Sequence, residues 1–265
     1  MPIVFSAITP HPPLLIPSIG KENLKKLKKT AKAYKKLEQD LYAAQPDSII
    51  ILSPHGKILK DAFHINFYPE YEATFEDFGD HSTKLNFKGD VETMQELRSC
   101  VELKKETSIV LSSSPKIDYG ASIPLYFLLQ HLKNIPIVPI NPSGLSLAEH
   151  CAFGNFLKRQ LHKINKRYAI IASGDLSHCL TKDAPGGYSR KGVIFNKKII
   201  ELIKDKDIKG FMELDEKQIE EASICCHKVI ATLFCAIEDM NYKLEFLSYE
   251  YPFGVGYLTS EMIFT

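Results

Sequence analysis

"DSIIILSPHG", Asp47 to Gly56, is the stretch on which the fold turns. Ile49, Ile50, Ile51 and Leu52 form a run with no polar residue in alternation, too short for a helix and bounded by turn formers. That pattern fits a strand buried on both faces, as in a parallel sheet covered by helices. The run stops at Ser53-Pro54-His55-Gly56. Proline fixes its own φ and biases its predecessor to extended geometry, so the strand hands over sharply to a turn carrying a histidine.

Working outward, the same design stands at the N-terminus. Ile3 to Ile8 reads as a strand, and it runs into Thr9-Pro10-His11-Pro12-Pro13. Between the two strands, Lys21 to Ala44 reads as one long helix with Leu24, Leu27, Ala31, Tyr34, Leu37 and Leu41 on an apolar stripe. Its lysines lie off that stripe, as on a solvated face and not a nucleic-acid patch. Further along, "IPIVPI" (Ile135 to Ile140) and "YAIIAS" (Tyr168 to Ser173) read as strands. Helices are expected from Val91, from Gly120, over "SLAEHCAFGNFLKRQLHKI", from Val193 to Lys204 and from Glu216 to Glu238. "KLEFLSYE" and "GVGYLTSEMIF" close the chain as two strands, and the stretch from Tyr68 to Phe87 is polar and aromatic.

This order predicts an α/β fold: a single domain over residues 1–265 with a mainly parallel, mixed central sheet and helices on both faces. Composition agrees with a water-soluble globular chain. The 33 basic and 32 acidic residues leave a net charge of +1, which gives no global field for nucleic acid or an anionic membrane. No apolar run is long enough for a membrane span, and the N-terminus has no secretory pattern, so a cytoplasmic location is expected. The six cysteines contain no C-x-x-C and are expected to be reduced and mostly buried; Cys225-Cys226-His227, on the expected last helix, is assigned to packing.

In open sheets of this kind, sites form where loops leave the carboxyl ends of strands. Three histidines and a carboxylate occupy such ends: His11, His55, His178 in "SGDLSH", and Glu250 in "LSYE" before Pro252. Two histidines and a carboxylate are the facial set that holds non-haem iron with coordination positions open. The same groups also suit Zn(II) and water activation in a hydrolase. His64, His81, His131, His150 and His162 have no comparable setting.

With "TPHPPLLIP", "SPHG", "SGLSLAEH", "SGDLSH" and "LSYEYPFGVGY", the chain resembles the class III extradiol ring-cleavage dioxygenases, in their catalytic LigB-type subunit, over nearly its whole length. The resemblance is closest to the branch associated with AMMECR1-like and Memo-like proteins. It implies Fe(II) held by His11, His55 and Glu250, with His178 as the acid-base residue and a small aromatic diol and dioxygen as reactants. Asp175 is expected beside a ligating histidine. The family pattern around "DYGASIPLYF" places a histidine near substrate where this chain has Tyr119, a phenol that cannot serve as a base near neutrality. A homodimer, a functional link to AMMECR1-like proteins, and a Memo-like non-catalytic metal or redox role complete the expectations.

Overall fold

Ser48–Leu52 is strand β2, and all five residues are buried. Ile50 and Leu52 enter one core cluster and Ile49 and Ile51 the other, on opposite faces of the sheet. This explains the unbroken apolar run: both faces of the strand are dry. The structure is a computed structural model that describes residues 2–104, 107–132 and 134–265.

Around β2 lie β1 (Ile3–Thr9), β3 (Phe63–Asn66), β6 (Ile109–Ser112), β7 (Ile137–Asn141), β8 (Tyr168–Ser173), β9 (Tyr242–Glu250) and β10 (Tyr257–Phe264). They make one eight-stranded sheet in the order β6-β3-β7-β2-β8-β1-β10-β9. The centre, β7-β2-β8-β1, is parallel. β3 joins β7 antiparallel, and β10 joins both β1 and β9 antiparallel. The sheet is therefore mixed at its flanks and parallel where the histidine-bearing strands lie.

The helices cover both faces. α2 (Lys28–Ala44) and α4 (Tyr119–Leu128) pack against Ile49, Ile51 and Ala7. α3 (Val91–Lys104), α5 (Leu147–Leu161), α6 (Arg190–Lys204) and α9 (His227–Ala236) pack against Ile8, Ile50 and Ile170. Short helices α1 (Pro17–Gly20), α7 (Ile208–Met212) and α8 (Glu216–Glu221) complete this single α/β domain. The polar and aromatic stretch holds a hairpin: β4 (Glu70–Phe75) pairs with β5 (Asp80–Lys88) as a separate two-stranded sheet. Among the described residues, no helix is long and apolar enough to cross a membrane.

Three expectations are corrected, and β6 stands where no strand was expected. The helix expected from Lys21 begins as a 3-10 segment, Lys21–Lys26, and α2 proper starts at Lys28. β6 carries no apolar run long enough to announce itself; only Ile109 of its four residues is buried. The helix expected over Glu216–Glu238 is two, α8 and α9, broken where Ser223 adopts a left-handed φ of 49°. The cysteines are not all reduced: Cys151 on α5 and Cys235 on α9 form a disulfide with their Cα atoms 5.1 Å apart. Gly154 makes that approach feasible, because a Cβ there would collide with the Thr232 carbonyl oxygen.

Candidate metal centre

Because β8 lies between β1 and β2, the turns after all three strands meet at one edge of the sheet. His11 leaves β1 and is 1% exposed. Its backbone is held from two sides: the His11 N–H donates to Asp175 Oδ1 at 3.0 Å, and the Tyr34 hydroxyl donates to the Pro10 carbonyl. The ring is held from β8. The Ser173 hydroxyl donates to the Gly120 carbonyl, so toward His11 Nδ1, 2.8 Å away, its oxygen must accept. His11 therefore carries its proton on Nδ1 and turns the Nε2 lone pair inward.

His55 meets it there, with Nε2 to Nε2 at 2.9 Å. Its turn is pinned through Ser53, whose hydroxyl donates to Asp118 Oδ1 and whose carbonyl accepts from Asn141 Nδ2 at 2.8 Å. Asp118 also caps α4 by accepting from the Ala121 N–H. The next residue, Tyr119, stacks on His55 with ring centroids 4.4 Å apart and lies edge-on to His11. Gly120 is required for this closeness, since a Cβ would stand 2.6 Å from Ser53 Oγ and 3.0 Å from His55 Cδ2. Phe78, from the turn joining β4 and β5, packs edge-on against Tyr119.

The third group is Cys225. Its Sγ lies 3.8 Å from His11 Nε2 and is fixed by Asp175, whose N–H donates to it at 3.1 Å. One ligand atom from each of His11, His55 and Cys225 falls within 4.8 Å of the others, the one such set of three among the described residues. Two imidazoles and a thiolate are a donor set for a transition metal such as Zn(II) or iron, so these residues fit the ion that sequence expected in a different shell. The electrostatics favour neutral imidazoles. Burial, with His178 nearby, lowers the His11 pKa to about 3, and burial and His11 lower His55 to about 4. Burial and the Asp175 carboxylate raise the Cys225 thiol. Asp175 is itself raised by burial, opposed by His178.

Of the expected site residues, His11, His55, Asp175 and Tyr119 converge. His178 is close enough for its charge to act on His11, His55 and Asp175, and its ring is oriented by an Nδ1–H donated to the Ser223 carbonyl at 2.6 Å. Glu250 is not brought into the set. It ends β9 at the same sheet edge, but Oε1 accepts from the Thr30 N–H at 2.8 Å and the Thr30 hydroxyl at 2.7 Å. The reason is local: the N-cap of α2 is Leu27, which has no side-chain acceptor, and the carboxylate satisfies a first-turn donor that would otherwise be orphaned. Cys225, assigned to helix packing, is the residue sequence reasoning missed. Its signal was the Cys225-Cys226-His227 cluster, of which the α8–α9 break leaves Cys225 outside both helices.

A family model described as "Catalytic LigB subunit of aromatic ring-opening dioxygenase" matches residues 6–259. Protein CA_C1420 of Clostridium acetobutylicum is 31% identical over 94% of this chain and 55% of its own length. A protein of Dechloromonas aromatica named 2,3-dihydroxyphenylpropionate/2,3-dihydroxicinnamic acid 1,2-dioxygenase 2 is 27% identical over 55% of this chain and 47% of its own length. The chain thus spans about half the length of these curated relatives. Among solved structures, uncharacterized protein JW3007 from Escherichia coli K12 has the same fold, with a TM-score of 0.67 at 15% identity over 97% of this chain and 99% of that one. With the family model running from β1 into β10, the chain belongs to the LigB family of aromatic ring-opening dioxygenase catalytic subunits.

Proposed function

We propose that the chain holds a metal ion through His11, His55 and Cys225 and opens the ring of a catechol-type diol with dioxygen. The observation that carries this is the convergence of those three donors beside His178, at the carboxyl ends of parallel strands, in a LigB-family chain. Fe(II) is the ion this reading requires; when bound, it would supply Lewis acidity to the diol oxygens and an electron path to dioxygen.

The chain's own residues have separate duties. His11 and His55, both neutral near pH 7, offer lone pairs without losing a proton first. Ser173 and Asp175 hold His11 by ring and backbone. His178 donates Nδ1–H to Ser223, so Nε2 carries the lone pair that takes the proton of a substrate hydroxyl and returns it during ring opening. Tyr119 stays protonated, its pKa raised by burial, and serves as a wall and hydrogen-bond donor while Phe78 limits water from the hairpin side.

The thiolate donor favours a second reading: Cys225 suits Zn(II), which would activate water in a hydrolase. Anaerobic purification with metal analysis, followed by oxygen uptake over a catechol panel, separates the two. Iron near one per chain with a coloured ring-opened product supports the dioxygenase. Zinc without oxygen uptake supports the hydrolase, and metal without any turnover a Memo-like binding protein. His11→Ala, His55→Ala and Cys225→Ala should each lose most of the metal. His178→Ala should keep it and lose about 100- to 10,000-fold in turnover; loss of metal there as well would sink the assigned roles.

A further inference from the structure

His64 has no motif around it in the sequence, yet it stands in a hydrogen-bonded chain that ends on the turn bearing His55. β3 pairs antiparallel with β7, which sets His64 opposite Asn141, the last residue of that strand; both are buried. The direction of each bond follows from the donors and acceptors. The Ser53 carbonyl can only accept, so the Asn141 group 2.8 Å from it is Nδ2, and Oδ1 is the atom that faces His64. His64 Nδ1, 2.9 Å from Oδ1, must carry the proton. His64 Nε2 is left as the acceptor and takes the Ser112 hydroxyl proton across 2.6 Å. Burial lowers the His64 pKa, so the ring is neutral near pH 7 and keeps this tautomer.

Asn141 meets the turn on both sides of His55. It holds the Ser53 carbonyl two residues before, and one residue after, a Cβ on Gly56 would stand 2.2 Å from Asn141 Nδ2. The same amide bears on Asp118, the carboxylate that receives the Ser53 hydroxyl and caps the helix beginning at Tyr119. Packing alone gives no reason for an imidazole here. A cavity of about 400 Å³ borders Ser112, His64 and Asn141, and an apolar side chain on β3 would need no partners in it.

We infer that His64, acting through Asn141, is a positioning residue for His55. Ser112 fixes the tautomer, the ring fixes the amide, and the amide fixes the turn that aims His55 at His11 and Cys225. This rests on the metal-holding part of the function proposed above, so the test also reads the His55 ring in protein without metal.

Metal-free wild type, His64→Leu, His64→Asn and Ser112→Ala, labelled with ¹⁵N-histidine, are compared by NMR. Affinity for Co(II) is then measured by anaerobic competition with a chelator. Wild-type His64 should show the Nδ1–H tautomer. His64→Leu should shift the His55 resonances while those of His227, held by the Ile224 carbonyl outside the chain, stay in place. It should also weaken Co(II) by about 10- to 100-fold. His64→Asn, whose amide nitrogen can stand where Nδ1 stood, should restore most of the affinity. Ser112→Ala removes only the hydroxyl and should shift His55 in the same direction, which keeps the comparison available if His64→Leu does not fold. Unmoved His55 resonances in His64→Leu, or in Ser112→Ala where the leucine variant does not fold, overturn the inference. So does a lower unfolding temperature with Co(II) affinity unchanged, which would make His64 a strut. A wild type that takes up no Co(II) sinks the metal reading, and the His55 shift still decides the role of His64.

Discussion

A serine hydroxyl has a single proton, and in Ser173 it goes to the Gly120 carbonyl, which leaves the oxygen to fix the tautomer of His11. Ser173→Ala should free the His11 ring to turn or change tautomer. The expected loss is about 10- to 100-fold in metal affinity, read by anaerobic competition with a chelator, at little cost in thermal stability. Glu250 gives the opposite signature. Glu250→Ala should keep the metal content and cost about 1 kcal/mol of stability, the usual size of a lost helix cap, because the carboxylate serves Thr30. A metal-free Glu250→Ala protein would restore the glutamate to the ligand set. His11 and His55 were legible because prolines mark each strand end. The direction in which a strand-end side chain turns is set by what lies above it, and no motif around Glu250 reveals an uncapped helix start more than 200 residues earlier in the chain.

At the scale of elements, periodicity identified the long helices and doubly buried strands, since burial on one or both faces leaves a direct imprint on residue order. It failed at two kinds of place. The α8–α9 break contains neither glycine nor proline, and Ser223 takes up the left-handed conformation without the usual punctuation, so Cys225 was read as a helical residue. The α5–α9 disulfide joins positions 84 apart, and connectivity is a tertiary fact that cysteine spacing does not encode. That bond should stabilise the fold by about 2–4 kcal/mol. Cys151→Ala should lower the unfolding temperature accordingly and abolish the response to added reductant; an unchanged melting curve would show that the two helices need no cross-link.

For the molecule as a whole, one contribution to pH dependence should come from a carboxyl outside the candidate metal donors. Glu261 on β10 is 5% exposed, and its Oε2 has no hydrogen-bond partner. Burial and the facing Asp40 raise its pKa, with Lys36 opposing and Glu245 adding to the rise. A raised carboxyl pKa means the folded state favours the proton. Stability from this group is therefore full below the ordinary value of 4.5 and is lost as pH climbs through neutrality. Glu261→Gln should match the wild type near pH 4.5 and exceed it at pH 8 by about 1–3 kcal/mol, measured by denaturant unfolding at the two pH values. The strand order has a consequence in time as well as in space. Since β8 is inserted between β1 and β2, the two histidine turns have no frame to align them until Tyr168–Ser173 has been synthesised and threaded between strands made long before it. Such distant pairings form slowly. A growing chain thus exposes its two histidine turns well before they can be aligned, and on the proposed reading metal capture would wait for β8 and, beyond it, for Cys225.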